Sequence, residues 1–278
     1  GAINVQNDSL IDFLNSKADT IQYPKIIIVS STGQSSAYYT CLLRIYGLNN
    51  VYSLNFGMAL WNRVFSDIWI EHAEDNEIQN HLDGSTLYPG NPQMKLPDIQ
   101  VDLQSSDNQN TIKKLIKDII IKGFDDQTYV SFTRHDTTFS GDKTIINFYF
   151  DGQSVNDYYI ICVGSLRLYK ALFISFFPTG HLPGAYFYFD KDFESSRNIQ
   201  TIPTDRKIVV YSTSGQVSSF VTAYLRLIGY DAKSLLYGGN GYTYSRITNP
   251  EELNLFVPYV FLPDNIRDYP YISGISPK

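Results

Sequence analysis

Two stretches of the chain carry the same order of apolar and polar positions. Ile26–Val29 and Ile208–Tyr211 are unbroken apolar runs rich in β-branched residues. Such runs read as strands buried on both faces of a parallel sheet. A Ser/Thr/Gly loop follows each run. Apolar residues then recur at i, i+3, i+4 and i+7: Tyr39, Leu42, Leu43 and Tyr46 in the first stretch, and Val221, Tyr224, Leu225 and Ile228 in the second. That spacing predicts an amphipathic helix. Gly47 and Gly229 stand where a left-handed residue ends a helix. Second strands are expected around Val51–Asn55 and Lys233–Tyr237, which completes a strand–helix–strand unit in each stretch.

The correspondence holds residue by residue. Lys25, Ile26, Ser30, Gly33, Gln34, Ser36, Thr40, Leu43, Arg44 and Gly47 recur as Lys207, Ile208, Ser212, Gly215, Gln216, Ser218, Thr222, Leu225, Arg226 and Gly229. After one deletion, Ser53, Leu54 and Gly57 recur as Ser234, Leu235 and Gly238. The period is far longer than that of a solenoid, so two copies of a whole domain are expected. Gly1-Ala2 stands before the first strand almost as the end of Gly180–Ala185 (GHLPGA) stands before the second. The first copy is therefore expected to begin inside its domain, after an opening strand and helix; the alternative is an accidental match.

Between the copies, His81–Asp98 is rich in Gly and Pro and Ser105–Asn110 is polar, which reads as a linker. Met58–Ala73 is expected to be helical, and Thr111–Lys122 to form an amphipathic helix. Tyr129–Thr133 and Thr144–Phe150 read as strands with a turn at Ser140–Lys143, and Tyr158–Val163 as a buried strand. The expected organisation is a first domain over 1–82, a linker over 83–110, and a second domain with an N-terminal extension over 111–278.

Composition narrows the classes. Of 278 residues, 43% are hydrophobic and 18% charged, which excludes wholesale disorder. A net charge of −6 leaves no basic face for nucleic acid. Two cysteines, Cys41 and Cys162, exclude a disulfide framework and a cysteine-rich zinc site. The four histidines, His72, His81, His135 and His181, are too scattered to suggest a metal cluster. The most apolar window, Tyr158–Phe177, holds Arg167 and Lys170, so no transmembrane segment is expected. The opening GAINVQ shows no leader, although a cleaved one would be unseen.

A loop that leaves a parallel strand and enters a helix aims several N–H groups at one point, beside the positive end of the helix dipole. It also lies at the carboxyl edge of the sheet, where α/β folds place their sites. The candidate sites are therefore the loops Ser30, Ser31, Thr32, Gly33, Gln34, Ser35, Ser36 and Ser212, Thr213, Ser214, Gly215, Gln216, Val217, Ser218. They are candidate anion-binding loops.

The strand and loop, the L-R-x-x-G helix, the following strand that ends in Phe56-Gly57-Met58 or Gly238-Gly239, and the upstream GHLPGA together resemble a tandem rhodanese-like protein. The similarity covers about residues 1–75 and 157–245. It implies an α/β fold of two rhodanese-like domains, each a mostly parallel sheet flanked by helices. It also implies a cysteine directly after the strand, which takes up sulfur as a persulfide. Those positions hold Ser30 and Ser212, and the usual basic loop positions hold Ser31, Ser35, Thr213 and Val217. A serine hydroxyl is not ionised near neutrality and forms no persulfide. Cys41 and Cys162 read as small core residues.

Serine as a nucleophile would need an adjacent base, usually an oriented histidine. His181 falls in the GHLPGA turn, where the resemblance implies a structural role. Nothing in the sequence brings His135-Asp136 to Ser212, and His72 and His81 read as surface residues. Related phosphatases need a loop cysteine and an arginine, both absent here. Arg44 and Arg226 sit midway along helices and read as structural or solvated. The acidic pairs Asp125-Asp126, Asp102 with Asp107, and Asp190 with Asp192 lack calcium-loop spacing and read as solvated surface. Trp61, Trp69, Tyr46, Phe56 and Phe65 read as packing residues.

The expected function is a catalytically inactive binding or scaffold module without cofactor or metal, whose partner is a protein or a small anionic ligand. The alternatives are a sulfurtransferase-family enzyme and a serine-based hydrolase. Composition and the resemblance lean toward a bacterial cell envelope or periplasm by analogy alone.

Overall fold

The computed structural model describes residues 2–18, 23–85, 88–89, 93–99, 108–140, 143–151, 153–164, 166–170, 180–194, 198–249 and 259–272. For 18, 108, 133–140, 143–149 and 155 it describes the backbone alone. In chain order the elements are α1 (Leu10–Ala18), β1 (Ile26–Ile28), α2 (Gln34–Tyr46), β2 (Val51–Ser53), α3 (Asp67–His72) and α4 (Asn108–Lys122). Then come β3 (Tyr129–Val130), β4 (Phe132–Ser140), β5 (Lys143–Phe150), β6 (Gln153–Ser154), β7 (Tyr158–Val163) and α5 (Leu166–Tyr169). The last are β8 (Tyr186–Tyr188), β9 (Lys207–Tyr211), α6 (Gln216–Leu227), β10 (Ala232–Leu235) and α7 (Tyr244–Ile247).

The fold is α/β, with mostly parallel sheets. Five parallel strands form the main sheet in the order β3-β10-β9-β7-β8. All six side chains of β7 are buried, and Ile208, Val209, Val210 and Tyr211 of β9 are fully enclosed. This is the pattern of a sheet covered on both faces. β1 and β2 form a separate two-stranded parallel ladder, with Ile26 opposite Val51 and Ile28 opposite Ser53. β4, β5 and β6 form an antiparallel sheet, with a register shift between Thr133 and Asp136.

Apolar clusters line both faces of the main sheet. A third joins α1, α2 and α4 around Ile11, Leu42, Leu43, Ile116 and Ile120, so the Lys-bearing helix packs on the first stretch. A fourth, aromatic cluster holds Phe56, Trp69, Tyr237 and Phe261, with the Trp69 and Phe261 rings stacked 5.2 Å apart. No helix among the described residues is long and apolar enough to cross a membrane.

Both long loop-following helices form where the spacing places them, and both end the same way. Gly47 N–H donates to the Arg44 carbonyl (3.1 Å) and Leu48 N–H to that of Leu43 (3.0 Å). Gly229 N–H and Tyr230 N–H repeat those bonds at Arg226 and Leu225. The buried face of α2 is wider than the four spaced residues, because it includes Ala37, Tyr38 and Cys41. The cause is α6, which packs against α2.

Two expectations are corrected. Met58–Ala73 is not one helix but two 3-10 turns, Gly57–Leu60 and Arg63–Phe65, followed by α3. Asn62 breaks it: its side chain accepts from Val64 N–H (3.0 Å) and donates to the Tyr269 carbonyl (2.9 Å), while Arg63 N–H donates to Asp268 (3.0 Å). Local polar bonds compete with the helical ladder and win. Asp192 is not solvated. It is buried, accepting from Phe189 N–H (2.7 Å) and from the Asn198 amide (3.0 Å). Asp102 and Asp107 lie outside the described residues.

Candidate functional site: two facing strand-to-helix loops

Each candidate loop is built by a strand that runs into a glycine with positive φ, Gly33 (83°) or Gly215 (75°), at the head of α2 or α6. The serine that follows each strand folds its hydroxyl back into its own loop. Ser30 Oγ accepts from Gly33 N–H (3.0 Å) and Ser36 N–H (3.3 Å). Ser212 Oγ accepts from Ser218 N–H (3.2 Å). Ser36 Oγ donates to the Gly33 carbonyl (3.0 Å) and meets Ser53 Oγ (2.8 Å); Ser218 Oγ donates to the Gly215 carbonyl (3.0 Å) and meets Ser234 Oγ (2.9 Å). Thr32 Oγ1 accepts from the Gln34 amide nitrogen (3.3 Å), and Ser214 Oγ from Gln216 N–H (3.4 Å).

The two loops face each other. Gln34 Oε1 accepts from Tyr237 N–H (2.8 Å) in the second stretch, and Gln216 Oε1 accepts from Phe56 N–H (3.0 Å) in the first. Gln216 Nε2 also donates to the carbonyls of Gly33 (3.2 Å) and Leu54 (3.4 Å). Phe56 (φ 55°) and Tyr237 (φ 59°) are both left-handed. The glycines are required by the crossing. A Cβ on Gly33 would run into Gln216 Nε2, and one on Gly215 into Gln34 Oε1. The bonds are reciprocal between the two stretches, and α2 packs on α6.

Most of the candidate residues are enclosed at this crossing. Thr32, Gly33, Gln34 and Ser36 are buried, Ser30 and Ser35 half-buried, and Ser31 exposed. Ser212, Thr213, Ser214, Gly215, Gln216 and Ser218 are buried and Val217 is half-buried. Gln34 and Gln216 were legible only as loop members; the recurring signal was a long amide in both copies at the head of an apolar helix.

No hydrogen bond joins either strand-end serine to an imidazole or carboxylate among the described residues. His181 is enclosed, its Nδ1 at 3.0 Å from the Tyr169 carbonyl and its ring stacked on Tyr169. Burial lowers its pKa, partly opposed by the Tyr169 carbonyl and by Asp83, whose carboxylate lies 3.8 Å from Nε2. Asp83 and His181 also bridge through their backbones, which ties the segment after the first stretch to the GHLPGA turn. His72 stacks on Tyr237 (4.4 Å) with Nδ1 at 2.9 Å from the Ile68 carbonyl. His81 lies in the 3-10 turn Glu77–His81, and the side chain of His135 is outside the description.

Cys41 and Cys162 are buried, and burial pushes both thiols up to about 12, so both are protonated at neutral pH. Arg44 Nε donates to the Val51 carbonyl (2.8 Å), and Arg226 donates to the carbonyls of Ala232 (3.1 Å) and Gln127 (2.9 Å). In each stretch the helix arginine clamps the next strand. Among the described residues, no cluster of His, Cys, Asp and Glu could hold a metal ion. A groove of about 480 Å³ opens beside the first loop's following turn, between Phe56, Leu60 and Trp61 and the later residues Tyr259, Arg267 and Tyr269.

The site thus defines an α/β protein with two matched strand-to-helix loops joined through crossed glutamines. No family model, no curated protein and no solved structure matches the chain.

Proposed function

We propose that this chain is an internally duplicated, rhodanese-like protein without catalytic activity, acting as a binding or scaffold module. One observation carries the reading: at the two positions where such a fold would place its sulfur nucleophile, Ser30 and Ser212 give their oxygens to the N–H groups of their own loops. The shared bonding of the two loops, their glycines and their helix arginines supports the duplication. The buried, protonated thiols of Cys41 and Cys162 supply no substitute nucleophile. The crossed glutamines give the loops a use as the joint between the halves.

The test is a thiosulfate-to-cyanide sulfur-transfer assay combined with intact mass measurement. The expected result is no turnover and no added sulfur on the purified chain. Turnover that is lost in Ser30→Ala or Ser212→Ala would overturn the reading. For ligand binding by the loops, thiosulfate or phosphate is titrated into labelled protein. Since the inward amides are answered by serine oxygens, the resonances of Gly33, Ser36 and Ser218 should stay in place; saturable shifts centred on them would assign anion binding to the loops instead.

A further inference from the structure

The 3-10 turn that follows the second strand of each stretch, Gly57–Leu60 or Gly238–Gly241, is sealed in one half and open in the other. In the second half, the Asn240 amide donates to the Tyr259 carbonyl (3.2 Å) and its oxygen accepts from Phe261 N–H (2.8 Å). Tyr242, just beyond, is 0% exposed. Its counterpart in the first half is Trp61, 37% exposed, which lines the groove of about 480 Å³. That volume suits a small organic molecule. The walls of the groove are tied together. Arg267 N–H donates to the Leu60 carbonyl (3.0 Å), Tyr269 N–H to that of Trp61 (2.9 Å), and Trp61 Nε1 to that of Pro270 (3.1 Å). Phe56, Trp61, Tyr259 and Tyr269 give the groove four aromatic rings, and Arg267 gives it a cation. Arg44, Arg63, Arg206, Arg226 and Arg246 each donate to or pair with an oxygen of the chain. The Arg267 guanidinium has no such partner among the described residues. Its neighbour Asp268 is held by Arg63, accepting from the Arg63 N–H (3.0 Å) with its other oxygen 3.7 Å from that guanidinium.

We propose that this groove is a binding site for a small aromatic monocarboxylate, its ring held among the aromatic side chains and its carboxylate by Arg267. The charge sets the class. A guanidinium without an acid of its own takes a carboxylate through two parallel N–H bonds, and that pairing is strengthened beside apolar walls that thin the water around it. The rings set the body of the ligand, since aromatic faces and edges pack on one another at favourable offsets. Walls already bonded to each other spare the ligand the cost of ordering them. The groove lies outside the two serine loops, so the site deepens the binding role described above without depending on the absence of catalysis.

The probe is naphthylacetate, titrated calorimetrically into the 278-residue chain at neutral pH and low salt, with its neutral amide, naphthylacetamide, as the comparison. Saturable binding of the acid at one site is expected, with the amide weaker by about fivefold or more. Arg267→Gln should abolish that preference by weakening the acid alone, and added salt should do the same in part. Lys114→Gln, which removes an exposed cation of α4, should change neither affinity. Amide resonances of the unaltered chain give the second readout: the acid should shift those of Leu60, Trp61 and Arg267. Absence of saturable binding, equal affinity for acid and amide, a preference that survives Arg267→Gln, or shifts centred elsewhere overturns the proposal. Sulfur transfer, present or absent, alters none of these outcomes, so the two readings fail separately.

Discussion

Replacing Gln216 with alanine tests whether the crossed glutamines hold the two halves together. The side chain makes three bonds across the joint: Oε1 to Phe56 N–H at 3.0 Å, and Nε2 to the carbonyls of Gly33 at 3.2 Å and Leu54 at 3.4 Å. Phe56 is 2% exposed, so its N–H would be left buried without an acceptor. An orphaned buried donor costs about 1–3 kcal/mol, and each lost neutral bond about 1 kcal/mol net. The sum for Gln216→Ala is roughly 2–4 kcal/mol, since the Leu54 bond is long and counts for little. For a chain of this size that is a fall of about 4–8 °C in Tm. The assay is urea and thermal unfolding followed by circular dichroism. Gln216→Glu sharpens it. The carboxylate keeps an acceptor for Phe56 but faces two carbonyls without a donor, which raises its pKa in the fold above the unfolded value of about 4.3. An acid whose folded pKa is raised is best tolerated below its unfolded pKa, and stability is lost as pH rises through the folded one. Gln216→Glu should therefore lie closest to the parent near pH 4 and furthest from it near pH 7. A loss below about 0.5 kcal/mol in Gln216→Ala, within the range of ordinary surface substitutions, would refute the reasoning.

Four further outcomes follow from the same geometry. A Cβ at Gly57 (φ 59°) would run into the Ser30 and Ser31 carbonyl oxygens, so Gly57→Ala should cost more than about 3 kcal/mol, against about 1 kcal/mol for Gly47→Ala, where nothing lies within 4 Å; comparative unfolding checks both. Burial depresses the His181 pKa, so its contribution is intact above about 6.5 and is lost as pH falls through the folded pKa. Parent stability should decline with acidification below that point, and the decline should be shallower in His181→Gln by denaturant midpoints. Arg226→Ala should lose roughly 1–3 kcal/mol, because the carbonyls of Ala232 and Gln127 lose their donor, and Arg44→Ala, with one such carbonyl, should lose less. Neither thiol should react with an aromatic disulfide reagent at pH 8 in the folded chain, and two should react after unfolding.

The sequence alone determined the local grammar. β-branched runs, i, i+3, i+4, i+7 spacing and a terminal glycine placed β1, α2, β9 and α6, because those signals arise from neighbours within a few residues. The recurrence of Ser30, Gly33 and Gln34 as Ser212, Gly215 and Gln216 marked both loops as matched. The tertiary structure decided everything that depends on a partner distant in the chain. It bent Met58–Ala73 at Asn62 through the distant Asp268 and Tyr269, and seated α4 on α2. Above all it sent each loop's glutamine across to the other's backbone and left Ile27 open where Val209 is enclosed. A repeated motif carries the same propensities in both copies. What its hydroxyls and amides are paired with is set by which surface packs against each copy, and that is a property of the assembled chain.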